Sequence, residues 1–217
     1  WNGVEKNIDK GVKLLQLAAK YGDVSAEYEL ACYYKDGKVV EQDDSKAFEL
    51  FQQAAERGNT DAKYELACYY KDSKVVEQDD SKAFELFQQA AESGNTGAKY
   101  ESACYYKHGR VVEQDDSKAF ELFQQAAESG NTGAKYELAC YYKDGKVVEQ
   151  DDSKAFELFQ QASELGNADA MCELAFCYEY GKGIKKDVSK VLELLRKAVS
   201  LKGVGTIYEL ACCYKQG

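Results

Sequence analysis

Apolar residues recur along this chain in two alternating helical patterns. In the first, Ala26, Leu30, Ala31, Tyr33 and Tyr34 fall within one side of a wheel drawn at about 100° per residue, with Glu27, Glu29 and Lys35 elsewhere. That side predicts a buried face. In the second, Ala47, Phe48, Leu50, Phe51, Ala54 and Ala55 make the apolar arc, and Lys46, Glu49, Gln52, Gln53 and Glu56 occupy the remainder. Asp43 can accept from the free N–H groups at the start of this helix, and Asp44 suits its positive dipole end. Gly58 supplies the left-handed conformation that closes it.

The pair of patterns repeats with a period of 36 residues: Ala26, Ala62, Ala98, Ala134 and Ala170 open successive copies, and Thr206 takes the same place in the last. The chain therefore reads as a partial repeat 1–25, full repeats 26–61, 62–97, 98–133, 134–169 and 170–205, and a partial repeat 206–217. Repeats 26–61 and 62–97 differ only at Glu27/Lys63, Gly37/Ser73, Arg57/Ser93 and Asp61/Gly97, which points to recent duplication. One helical hairpin cannot cover its own apolar faces, whereas stacked copies bury them between neighbours. The expectation is an all-α, right-handed superhelical solenoid of about six helical-hairpin repeats, with about twelve helices. In the third full repeat Ser102 stands where Leu30, Leu66 and Leu138 supply core, so a local weak point is expected there.

Composition narrows the partners. The absence of proline removes the strongest helix breaker from all 217 residues. With 28 Lys plus Arg against 38 Asp plus Glu, the net charge is −10, which repels a phosphate backbone and argues against nucleic acid. No apolar run approaches the roughly 18 residues of a membrane helix. The sequence opens at Trp1 with no signal-peptide pattern, and a cytoplasmic setting is expected. Trp1 and Gly217 occupy the same place in the repeat, so the array is read as an excerpt.

Ala26, Leu30, Tyr34, Gly37, Val40, Asp43, Lys46-Ala47, Ala54-Ala55 and Gly58 fall at the offsets of the Sel-1-like repeat family, which the sequence resembles over nearly its whole length. The later copy Ala170, Leu174, Tyr178, Gly181-Lys182-Gly183-Ile184, Asp187 and Ala198 matches the same pattern. Departures are Ala31 for the usual Gly, Val39 for the second loop Gly in the central copies, and Ser73 for the first in one of them. They touch loop conformation rather than fold. The resemblance implies partner binding and adaptor work, and in some fungi similar arrays accompany protein kinase domains.

Candidate chemistry is sparse. Cys32, Cys68, Cys104 and Cys140 recur once per repeat with Cys212 in phase, a spacing that suits neither a zinc site nor a disulfide between adjacent repeats. Free thiols are expected. His108 is the only histidine and replaces the Asp of the sister copies, and Glu41-Gln42-Asp43-Asp44 lacks the spacing of a calcium loop. No nucleophile beside a base and no phosphate-binding glycine loop is present, so the reading is a non-enzyme without cofactor or metal.

On the wheel, Tyr28, Cys32 and Lys35 fall opposite Leu30, and the set recurs as Tyr64, Cys68 and Lys71, Tyr100, Cys104 and Lys107, and Tyr136, Cys140 and Lys143. Cys172 with Phe176, and Tyr208 with Cys212, continue it. In the related tetratricopeptide arrays this side of the first helix lines a concave surface, so the resemblance implies a groove with recurring aromatic anchors. Two function classes stay open: a scaffold holding a protein or peptide in that groove, and a spacer or oligomerisation arm, capable of self-association, in a larger protein that could include a kinase domain.

Overall fold

The computed structural model describes residues 8–73 and 75–202. Among them lie eleven helices: α1 (Ile8–Lys20), α2 (Val24–Asp36), α3 (Asp44–Glu56), α4 (Thr60–Asp72), α5 (Asp80–Glu92), α6 (Thr96–His108), α7 (Asp116–Glu128), α8 (Thr132–Asp144), α9 (Asp152–Glu164), α10 (Ala168–Tyr180) and α11 (Val188–Lys202). No strand occurs among the described residues. The twelfth helix of the sequence reading falls within 206–217, outside them. The backbone divides into two compact units, one ending at Ser102 and including Arg110–Val112, the other formed by Ala103–Gly109 and the described residues from Glu113 on.

Local chemistry fixes the helix starts. Asp43, Asp79, Asp115 and Asp151 accept from the backbone N–H of Lys46, Lys82, Lys118 and Lys154, so the second helix of each pair begins as read. The first helices begin two residues before the alanines that open the repeats. Asp23, Asn59, Asn95, Asn131 and Asn167 each accept from the N–H of the alanine three residues on, at 2.8 Å.

Loop glycines end the first helices in the left-handed region, and the departures from glycine keep that geometry. Ser73 replaces a loop glycine at φ 56°, while Val111 and Val147 take φ 53° and 73° where the later copy has Gly183 at 71°. A β-branched residue there costs about 1–3 kcal/mol. The second helix's cap fastens the loop, because Asp115 and Asp151 donate their N–H to the carbonyls of Tyr106 and Tyr142.

In the first unit Phe51 and Phe87 are fully buried among Ala31, Ala47, Ala54, Ala67, Ala83 and Ala90, whose small side chains let helices approach. Phe48 meets Tyr69 and Tyr70 edge-on, with centroids 5.8 and 5.7 Å away. The second unit repeats the device: Phe123 and Phe159 are fully buried, and Phe156 meets Tyr178 at 88°. The lysine opening each second helix lies over the aromatic ring of the preceding first helix, as Lys82 over Tyr70 at 4.4 Å and Lys154 over Tyr142 at 5.0 Å.

One expectation is overturned. Glu27, read as lying on the polar side of its helix, is 1% exposed. Arg57, just past the end of α3, donates to its Oε1 at 2.7 Å, and among the described residues no partner meets its Oε2. The guanidinium lies against the Gly22 turn, where even a Cβ would stand 2.8 Å from Nη1. Tertiary cover from that turn overrides the wheel.

Candidate protein-interaction face

The recurring Tyr, Cys and Lys sit at i, i+4 and i+7 of the first helices, a spacing that aligns them along one line of each helix. In the first unit this places Tyr28, Cys32 and Lys35 on α2, Tyr64, Cys68 and Lys71 on α4, and Tyr100 at the start of α6. In the second it places Cys104 and Lys107 on α6, Tyr136, Cys140 and Lys143 on α8, and Cys172 and Phe176 on α10. Tyr208 and Cys212 lie outside the described residues.

These tyrosines are half-buried. Tyr28 packs on Phe51, Tyr64 on Phe87 and Tyr136 on Phe159, with centroids 5.7 to 5.9 Å apart. Gly97 leaves room for the Tyr64 ring, whose Cε2 stands 3.0 Å from where a Cβ would be. Burial, then the neighbouring cysteine, hold the phenols of Tyr28, Tyr64 and Tyr136 well above the ordinary tyrosine range. Burial likewise pushes the thiols of Cys68 and Cys140 up to about 11. Such thiols are protonated and poorly nucleophilic at neutral pH.

The lysines do not project free. Each reaches across to a glutamate on the next first helix: Lys35 to Glu65 at 2.5 Å, Lys71 to Glu101 at 2.7 Å, Lys107 to Glu137 at 2.5 Å and Lys143 to Glu173 at 2.9 Å. Burial alone would lower the pKa of Lys35, Lys71 and Lys143, but the hydrogen bond and charge of the glutamate outweigh it, and all three lie above the ordinary lysine value. The glutamates were not singled out from sequence, although their recurrence 30 residues after each lysine was visible there.

Beside the Lys35–Glu65 rung in the first unit lies a hollow of about 220 Å³ lined by Lys35, Tyr64, Glu65, Cys68, Tyr69 and Asp72. A second hollow, about 360 Å³, lies in the second unit among α7, α8 and α9, floored by Leu138, Tyr142 and Leu158 and rimmed by Lys135 and Lys154. Sequence reading missed it, because its floor looked like ordinary core.

Among the described residues no group of His, Cys, Asp and Glu is arranged to hold a metal ion, and no helix is long and apolar enough to cross a membrane. His108 is exposed at the end of α6. Cys32, Cys68, Cys104, Cys140, Cys172 and Cys177 are free thiols. At pH 8, Cys68, Cys140 and Cys177, whose buried thiols lie at about 11, are expected to react far more slowly with a thiol reagent in the native protein than in denaturant. Denatured without reductant, nearly all eight cysteines should titrate. A majority in disulfides would contradict the free-thiol assignment.

Half-buried aromatics and paired charges, repeated on successive helical hairpins, define an all-α solenoid of short repeats. Sel1 repeats are recognised at residues 1–23, 24–59, 60–95, 97–131, 132–167 and 168–202, so the chain belongs to the Sel1 repeat family. A protective antigen of uropathogenic Escherichia coli strains, displaying an SLR fold, is similar with a TM-score of 0.83 and 26% identity over 100% of this chain and 46% of that one. The chain thus spans about half the length of that relative. A Sel1 repeat protein from Oxalobacter formigenes matches with a TM-score of 0.81 and 24% identity, over 96% of this chain and 90% of that one. A thermophilic TPR protein of Thermus thermophilus shares the fold at a TM-score of 0.51 and 16% identity, over 89% of this chain and 100% of that one. No curated protein matched. Repeat folds of this type commonly serve as non-catalytic scaffolds for protein–protein interaction.

Proposed function

We propose that this chain is a non-catalytic scaffold that holds an extended or helical segment of another protein along the line of its first helices, with Tyr28, Tyr64, Tyr100 and Tyr136 as recurring anchors and Tyr208 continuing the series. In this reading that line is the concave side of the array. The carrying observation is the hollow between Lys35 and Tyr64, where an amphipathic ring borders open space while Lys35 and Glu65 are already paired with each other. A side chain entering it meets aromatic and thiol surface without breaking an ion pair, the character of an interface anchor. Reduced thiols fit a cytoplasmic setting.

The half-burial of Tyr28 and Tyr64 against Phe51 and Phe87 also favours a second reading, in which the tyrosines lock adjacent helices of a spacer or self-associating arm. One experiment separates the two. With the tightest peptide selected from a random library as ligand, Tyr64→Ala combined with Tyr100→Ala should weaken binding by more than about 2 kcal/mol while helicity by circular dichroism stays intact. Undiminished binding would move the site elsewhere. Failure to select any peptide, together with self-association in sedimentation, would favour the spacer.

A further inference from the structure

The line of residues that carries Tyr, Cys, Lys and Asp on α2, α4 and α8 changes character on α10. Cys68, Lys71 and Asp72 on α4, and Cys140, Lys143 and Asp144 on α8, correspond on α10 to Phe176, Glu179 and Tyr180. Phe176 and Tyr180 are 43% and 48% exposed, and their rings lie against each other with centroids 4.4 Å apart at 42°. Elsewhere on the same line, large aromatics are half-buried against a phenylalanine of the core. Here two stand at the surface.

Charge changes with them. Glu173 and Glu179 flank Phe176 at i−3 and i+3, and Asp169 lies one further turn back on the same side of the helix. The helix α10 itself contains no lysine or arginine; Lys143, reaching over from α8, pairs with Glu173 at 2.9 Å. Glu179 occupies the place of the ladder lysines and makes no ion pair among the described residues. Lys182, Lys185 and Lys186 lie beyond the end of the helix, with the Lys186 stem folded against Gly181. The acidic side of the pair is therefore at Phe176 and the basic side past Tyr180.

An aromatic face flanked by carboxylates attracts a cation through both the ring quadrupole and charge. We infer that α10 carries a subsite for an arginine or lysine side chain of a bound protein segment, seated on Phe176 between Glu173 and Glu179, with Tyr180 covering its aliphatic stem. This deepens the scaffold reading and rests on it, since it names the chemistry of the ligand at one end of the same line. The guanidinium of arginine, planar and weakly hydrated, suits the site better than an ammonium.

The test uses the full chain and three peptides alike except at one central position: arginine, its neutral isostere citrulline, or norleucine, each flanked by Gly, Ser and Leu. Binding is followed by chemical-shift changes at physiological salt. The arginine peptide should shift α10 resonances and bind on the order of tenfold more tightly than either of the others. Phe176→Cys, Glu179→Lys and Tyr180→Asp together install the residues that α4 and α8 carry at these places, so the fold is expected to survive while the preference for arginine disappears. Equal binding of citrulline would overturn the proposal, and equal binding of norleucine would make the pair a plain apolar contact. Shifts confined to the Tyr64 or Tyr136 helices would sink this subsite and leave the scaffold reading standing. Arginine-dependent shifts on α10 alone, unaffected by Tyr64→Ala with Tyr100→Ala, would support the subsite and remove the tyrosine line from the interface.

Discussion

Replacing Arg57 by Ser should destabilise the first compact unit by about 3 kcal/mol, because it leaves the Glu27 carboxylate buried without the counter-charge that meets it among the described residues. The carboxylate is buried, and among the described residues Oε2 makes no hydrogen bond even with Arg57 in place. Arg57 is itself about half-exposed, with 47% of its side chain accessible, so some water can follow its removal; this keeps the figure at the lower end of what breaking a buried pair costs. The sequence contains its own rescue. The next repeat has Lys63 and Ser93 at the two places, and the fifth has Met171, 6% exposed, with Leu201. Glu27→Lys in the Arg57→Ser background should therefore recover most of the loss. Urea unfolding of the single variants and the double variant measures the coupling. Additive effects would mean that the pair is not an energetic unit.

Ser102→Leu should stabilise α6 locally by about 2–4 kcal/mol. Ser102 is 1% exposed and its hydroxyl has no hydrogen-bond partner among the described residues, while Leu30, Leu66 and Leu138 fill the equivalent places at 5%, 5% and 6% exposure. The substitution removes an unsatisfied polar atom and restores apolar volume that the sister repeats bury. Slower amide exchange between Thr96 and His108 reports it, and that choice of probe matters because stability in a repeat array is local. Faster exchange would mean that the neighbours have closed over the smaller side chain and that leucine overpacks the site.

Most of the fold was legible because the same chemistry is written several times. Asp43, Asp79, Asp115 and Asp151 cap their helices where the pattern put them, and Gly58 closes its helix at φ 92°. Features that depend on a neighbour in space were less legible. A wheel assigns Glu27 to the polar side because it knows only the residue's own helix, whereas the Gly22 turn and Arg57 come from elsewhere. The candidate face shows the same limit. Tyr28 and Lys35 share one line of their helix by spacing, but only the adjacent helix reveals that Lys35 is held by Glu65. The aromatic pair on α10 was half seen: Phe176 was named from its position in the series, while Tyr180 escaped because its sister copies carry Asp.

The lysine–glutamate ladder also bears on how such a chain can change its length. Every rung joins a lysine of one repeat to a glutamate of the next, always 30 residues on. Excising residues 62–97 would bring Lys35 opposite Glu101, the very residue that now receives Lys71, and the cut ends would rejoin within an almost unchanged sequence. Loss or gain of a whole copy by recombination between near-identical segments thus leaves no orphaned charge at the junction. Copy number can then change one repeat at a time while every rung of the ladder finds an equivalent partner.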